Sequence, residues 1–78
     1  MENYNNAQIK EIIGAQPTSE IIRIADEYIH NIRNREITKR KLQGEPYEPL
    51  SEKYGITPRQ CYNIVKKSYR IIVQHIET

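Results

Sequence analysis

The chain has 78 residues, with 12 Lys and Arg against 10 Asp and Glu, and a single cysteine. This length predicts one domain, which would bury only about 60% of its unfolded surface and would gain stability from self-association. The lone cysteine excludes an intramolecular disulfide, and no apolar run approaches the ~20 residues of a membrane-spanning helix, so we expect a cytoplasmic protein with no membrane contact.

The charge is divided unevenly along the chain. Residues 1–32 carry two cations and five acids, a net charge of −3, whereas residues 33–78 carry ten cations and five acids, a net charge of +5. This asymmetry indicates that the second half binds a polyanion and that the first half has another task. Tyrosine is the only aromatic residue and strand-like alternation is absent, so we predict an all-α fold, a small helical domain.

Two helices are predicted in the N-terminal half. Residues 1–6 are polar and are expected to fray. A short helix is predicted over residues 7–13 and ends at Gly14, and a longer one follows an N-cap at Thr18 or Ser19. The apolar stripe of the longer helix consists of Ile21, Ile22, Ala25, Tyr28, Ile29 and Ile32.

The apolar pattern changes after residue 32, and we place a boundary there within the single domain 1–78. Residues 7–32 are predicted to be a helical association segment that forms a homodimer, and residues 34–78 a DNA-binding unit. Whether residues 20–42 form one helix or two stays open. A basic cluster follows the boundary: Arg33, Arg35, Lys39, Arg40 and Lys41.

Residues 44–70 carry the most informative pattern in the chain. We predict a helix over Tyr47–Tyr54 and a turn at Gly55, because glycine adopts the left-handed conformation that ends a helix. A further helix is predicted to begin at Pro58, with Thr57 and Gln60 forming a capping box. Two helices joined by such a turn form a helix-turn-helix, whose second helix usually lies in the major groove of DNA.

The second helix of this pair has two contrasting sides at about 100° per residue. Its apolar side is predicted to consist of Cys61, Ile64, Val65, Ser68, Ile72 and Ile76. The opposite side carries Arg59, Asn63, Lys66, Lys67, Arg70 and Gln74, and its only acid is Glu77, beyond the last cation. A surface of cations and amides without acids favours contact with DNA. The alternative is an ordinary solvated helix face, which usually mixes charges of both signs.

Position along this helix predicts the role of each side chain. The candidates for base contacts are Arg59, Gln60, Asn63 and Tyr62, because an amide pairs with adenine and Arg with guanine. The candidates for phosphate contacts are Thr57, Lys66, Lys67 and Arg70, with Arg35 and Lys39 from the preceding helix. Tyr62 and Tyr69 could instead stack on unpaired bases.

Residues 35–67 resemble the helix-turn-helix region of the Mor transcription activator family, phage regulators that bind DNA as dimers. The shared residues are Arg35-Glu36-Ile37, Gly44, the run Leu50-Ser51-Glu52-Lys53-Tyr54-Gly55-Ile56-Thr57, Arg59-Gln60 and Ile64-Val65-Lys66-Lys67. The chain departs from the family pattern at Lys41, Pro46 and Ser51, where an aromatic residue, a cap residue and Ala are usual. The resemblance implies a regulator from a phage or other mobile element, and it leaves activation and repression equally open.

Two other functions remain as alternatives. The chain could be a helical adaptor or antirepressor that works through its acidic half, or a DNA-packaging subunit similar to small terminases. Enzymatic activity, a small-molecule substrate and a cofactor are not expected, because no catalytic fingerprint appears. His30 and His75 are too far apart in sequence for a local metal motif, so no metal site is predicted.

Overall fold

The computed structural model describes residues 4–76 of the chain. Within this range the chain forms five α-helices and no strand, which confirms the predicted all-α class. The helices are α1 (Asn6–Gly14), α2 (Thr18–Tyr28), α3 (Ile32–Leu42), α4 (Tyr47–Tyr54) and α5 (Pro58–Ile76).

Helix α5 is the element on which the other four helices pack. Its first half closes the α3–α4 core, formed by the buried residues Ile37, Leu50, Cys61 and Val65. Its second half closes the α1–α2 core, formed by the buried residues Ile9, Ile13, Ile21, Ile24, Ala25, Ile29, Ile72 and Val73. Tyr69 packs against both cores and joins them.

The apolar stripe of α2 faces α5 of the same chain. Ile21 and Ala25 of the predicted stripe are at most 1% exposed, and they share a core with Ile72 and Val73. Ile24, which the predicted stripe left out, is buried in the same core at 2% exposure. The surface that the sequence assigned to self-association is therefore covered within one chain. Homodimerisation stays a prediction, and it would have to use a different surface.

Helix α1 begins with a capping box that composition did not suggest. The Gln8 backbone N–H donates to Asn5 Oδ1 at 2.8 Å, and the Asn5 N–H donates to Gln8 Oε1 at 2.9 Å. The Arg70 guanidinium on α5 donates to the Tyr4 carbonyl at 3.2 Å and to Asn6 Oδ1 at 3.4 Å. The expected fraying is therefore wrong for residues 4–6, and residues 1–3 lie outside the described range.

Residues 20–42 form two helices, which settles the alternative left open by the sequence. Helix α2 ends at Tyr28, and the Asn31 side chain accepts the Asn34 N–H at 3.0 Å as the N-cap of α3. This break removes Ile32 from the α2 stripe and leaves it 64% exposed, so its predicted burial is wrong.

The predicted cap at Thr18 or Ser19 is also wrong. The cap position of α2 is Pro17, which offers no side-chain hydrogen bond, and Thr18 is already helical. The first turn carries Glu20 instead, whose negative charge suits the positive end of the helix.

Candidate nucleic-acid interface

A three-residue turn separates α4 from α5. Gly55 has φ +67°, the left-handed conformation predicted for it. Its N–H donates to the Glu52 carbonyl at 3.2 Å, and the Ile56 N–H donates to the Ser51 carbonyl at 3.0 Å. This pair of bonds is a Schellman motif, and Ile56 packs against the α3–α4 core as such motifs require. The turn therefore fixes the direction in which α5 leaves α4.

The predicted capping box at the start of α5 is confirmed. The Gln60 N–H donates to Thr57 Oγ1 at 3.1 Å, and the Thr57 N–H donates to Gln60 Oε1 at 2.9 Å. Pro58 is the first helical residue, as predicted. Oε1 of Gln60 already accepts the Thr57 N–H, whereas its amide nitrogen has no hydrogen bond among residues 4–76 and can donate to a base edge.

Three predicted contact residues form an exposed row on α5. Arg59, Asn63 and Lys67 follow each other at four-residue spacing, a span of roughly 12 Å along the helix axis. All three side chains are exposed, and none has a hydrogen bond or ion pair within residues 4–76. The 19 residues of α5 include no acid. This row is therefore a positively charged surface with free donors.

Tyr62 and Lys66 lie beside this row. The Tyr62 ring is 37% exposed and meets the Tyr47 ring edge-on, with centroids 5.8 Å apart. Lys66 is half-buried and has no ion-pair partner among the described residues. Both can reach outward from the helix, and both also face a cavity described below.

The remaining predicted phosphate contacts already have partners within the chain. Arg35 Nη1 donates to the Asp26 carbonyl at 3.3 Å and to the Ile29 carbonyl at 3.5 Å, so it caps the C-terminal end of α2. Lys39 Nζ forms an ion pair with Asp26 at 2.8 Å. Arg70 holds the start of α1, as described above. These three cations have structural roles that spacing did not reveal, and phosphate contact by them stays a prediction.

A hydrogen-bonded network that sequence reasoning missed holds α4 on α3. The Tyr54 hydroxyl donates to Glu36 Oε1 at 3.0 Å and accepts from Arg40 Nε at 3.2 Å. Arg40 also forms an ion pair with Glu45 at 3.2 Å. The bond to Tyr54 and then the bond to Glu45 raise the pKa of the Arg40 guanidinium. The partners are 14 and 18 residues apart, so no local pattern points to them.

The three departures from the family pattern each have a physical counterpart in the structure. Ser51 is 2% exposed, and its hydroxyl donates to the Glu48 carbonyl at 2.8 Å, so a polar group occupies a tight position without losing its hydrogen bond. Lys41 Nζ lies 4.0 Å from the centroid of the Tyr47 ring, a cation–π contact. Pro46 leaves α4 without a side-chain cap.

Groups that could carry other chemistry are placed as follows. Cys61 is fully buried in the α3–α4 core, and this burial raises the pKa of its thiol, which makes it a poor nucleophile. Among residues 4–76, no three His, Cys, Asp or Glu side chains come together as metal ligands would. None of the helices in this range is both long and apolar enough to cross a membrane.

Comparison of the chain with protein families, with curated proteins and with solved structures returned no match. The geometry and chemistry of the chain itself are therefore the basis for its proposed function.

Proposed function

We propose that this chain is a sequence-specific double-stranded DNA-binding transcriptional regulator that acts as a cytoplasmic homodimer, of the kind that phages and other mobile elements encode. One observation carries the proposal: Arg59, Asn63 and Lys67 form an exposed, unpaired row directly after a hydrogen-bonded turn. We interpret α4, this turn and α5 as a helix-turn-helix similar to that of the Mor transcription activator family, with α3 as its supporting helix.

The row divides by position into two kinds of contact. Arg59 and Asn63 lie in the first two turns of α5, the part of a recognition helix that meets base edges. Arg59 can donate two hydrogen bonds to guanine, and Asn63 can pair with adenine through its amide. Lys67 lies one turn further along and is placed to neutralise phosphate. The free nitrogen of Gln60 and the ring of Tyr62 are secondary candidates for base contacts.

The central experiment is selection of bound sequences from a pool of random duplex DNA by the full chain at two salt concentrations. We expect an enriched palindrome whose affinity falls steeply with salt, because a homodimer places two recognition helices on half-sites related by a two-fold axis. Absence of enrichment, with weak binding at both salt concentrations, would reject the proposal.

Two substitutions separate base contact from phosphate contact. Asn63→Ala should reduce the binding free energy for the selected site by about 1–3 kcal/mol and relax the base preference at one position. Lys67→Ala should weaken binding to all DNA sequences alike and reduce the slope of log affinity against log salt by about 1. Lys53→Ala is a matched control, because Lys53 is an exposed lysine of α4 that lies outside the row. Equal effects of Asn63→Ala on selected and random DNA would contradict the assigned roles.

A protein–protein adaptor is the second candidate, and one observation favours it. Ile32 is 64% exposed at the start of α3, so the helices of residues 4–76 leave most of this large apolar side chain uncovered. A partner protein or a second copy of the chain could bury it. Light scattering would give the mass of the protein in solution. A dimer would support the regulator, and a monomer that does not bind DNA would favour the adaptor. A ring of many copies would indicate a packaging subunit.

A further inference from the structure

A cavity of about 200 Å³ opens between α1, the end of α3, the start of α4 and the middle of α5. Three lysines and three tyrosines dominate its lining: Lys10, Lys41, Lys66, Tyr47, Tyr62 and Tyr69. None of the acids within residues 4–76 lines it. The cavity therefore combines a strong positive potential with aromatic walls.

No carboxylate within residues 4–76 forms an ion pair with any of the three ammonium groups. Lys10 and Lys66 have neither a hydrogen bond nor an ion pair within the described part of the chain. Lys41 Nζ donates only to the Glu45 carbonyl, at 3.3 Å, and lies over the Tyr47 ring. Like charges around one concave surface repel each other and attract an anion, and low-dielectric walls strengthen that attraction.

The tyrosines add an aromatic surface with unused donors. The Tyr47 and Tyr62 rings meet edge-on at an interplanar angle of 71°, and both tyrosines line the cavity. The hydroxyls of Tyr47, Tyr62 and Tyr69 make no hydrogen bond within residues 4–76. Burial raises the pKa of Tyr47, and it raises the pKa of Tyr69 to about 12, so both remain protonated donors at neutral pH.

We propose that this cavity binds a small aromatic anion, with a planar ring against Tyr47 and Tyr62 and a phosphate or carboxylate group held by the lysines. A volume of about 200 Å³ lies below the ~300–1,000 Å³ of drug-sized ligand pockets, so one ring system fills it. A mononucleotide and an aromatic carboxylate share this chemistry. This ligand site is additional to the proposed duplex-binding row.

Four probes test the proposal on the isotope-labelled full chain by nuclear magnetic resonance. The probes are deoxyadenosine monophosphate, 4-hydroxybenzoate, deoxyadenosine without phosphate, and inorganic phosphate. We expect at least one of the two aromatic anions to shift the signals of the cavity residues and to bind at least tenfold more tightly than deoxyadenosine or phosphate. Whichever of the two binds more tightly shows whether the natural ligand is a nucleotide or an aromatic carboxylate. Absence of shifts with both at millimolar concentration, or equal affinity for phosphate, would overturn the proposal.

A matched pair of variants separates the cavity from general positive charge. Lys10→Gln should weaken binding of the preferred anion at least fivefold, whereas Lys53→Gln removes the same charge outside the cavity and should change it less than twofold. Equal losses would overturn the proposal. Both lysines are exposed, so neither substitution should disturb folding.

The cavity and the duplex-binding row can be tested independently. Lys10 is not a proposed DNA contact, and Asn63 does not line the cavity. Asn63→Ala should therefore reduce sequence preference on duplex DNA and leave binding of the aromatic anion unchanged. If the chain does not bind duplex DNA, the proposed function is wrong, but the cavity proposal still predicts that the chain binds the aromatic anion.

Discussion

Two glycines show how a single residue sets the chain direction. Gly55 has φ +67°, whereas Gly14 is helical, and a Cβ at either position would meet no atom within 4 Å. Only backbone conformation then distinguishes them. We expect Gly55→Ala to lower the free energy of unfolding by about 1–2 kcal/mol, the cost of a left-handed residue with a Cβ. Gly14→Ala should raise it by up to about 1 kcal/mol, because Ala favours the helix.

Urea denaturation of the two variants beside the unchanged chain measures both effects. Opposite signs are the expected outcome. An unchanged free energy of unfolding for Gly55→Ala would contradict the strain that we expect for a Cβ at φ +67°.

Tyr69 gives a prediction about pH. Burial between the two cores raises its pKa to about 12, above the value of about 10 in an unfolded chain. Folding favours the neutral hydroxyl of Tyr69 over its phenolate. The contribution of this preference to the free energy of unfolding is complete below pH 10 and is lost as the pH rises through 12. We expect the Cζ resonance of Tyr69 to titrate near pH 12, and Tyr69→Phe to reduce the fall in Tm over that range. Titration of Tyr69 near pH 10 would contradict its burial.

The Gln60 side chain has two roles at the start of α5: it caps the helix, and it is a candidate for contact with a base. Gln60→Glu keeps an acceptor for the Thr57 N–H, so the free energy of unfolding should change by less than about 0.5 kcal/mol. The same change removes the free amide nitrogen and adds a negative charge beside the row, so DNA affinity should fall about tenfold or more. Calorimetry and a DNA-binding titration measure the two quantities separately.

Gln60→Ala is the companion variant, since it removes the capping bond and should cost about 1 kcal/mol of stability. If Gln60→Glu bound DNA as tightly as the unchanged chain, the start of α5 would not face the nucleic acid.

The elements that could be predicted from sequence are those whose ends are set by near neighbours. The end of α4 and the start of α5 follow from Gly55, Thr57 and Pro58, which act within three residues of the helix end. The end of α2 could not be predicted this way. It depends on Arg35 donating to carbonyls six and nine residues away, and on contacts with α5.

Within the candidate site, too, features set by local spacing could be predicted and features set by contacts between helices could not. The exposed row on α5 follows directly from helical periodicity, so Arg59, Asn63 and Lys67 lie where they were predicted. The sequence did not reveal that Arg35 and Lys39 are bonded to α2, because their partners lie on another helix. It also missed the cavity, whose lysines come from three different helices.

The two cores of the molecule both depend on helix α5. Removing residues 1–32 would leave Ile72 and Val73, which are at most 3% exposed, without cover. We therefore expect residues 33–78 alone to lose cooperative thermal unfolding, measured by circular dichroism, although they contain the whole proposed helix-turn-helix. A fragment that melts cooperatively near the Tm of the full chain would show that the α3–α4 core is sufficient by itself.

The common use of α5 has a consequence for biosynthesis. Translation proceeds from the amino end, so α1 and α2 leave the ribosome before the helix that closes their core. Until then five aliphatic side chains lack their cover: Ile9, Ile13, Ile21, Ile24 and Ile29. We therefore expect the nascent chain to bind chaperones that hold aliphatic segments, and both halves of the molecule to complete folding together when α5 emerges.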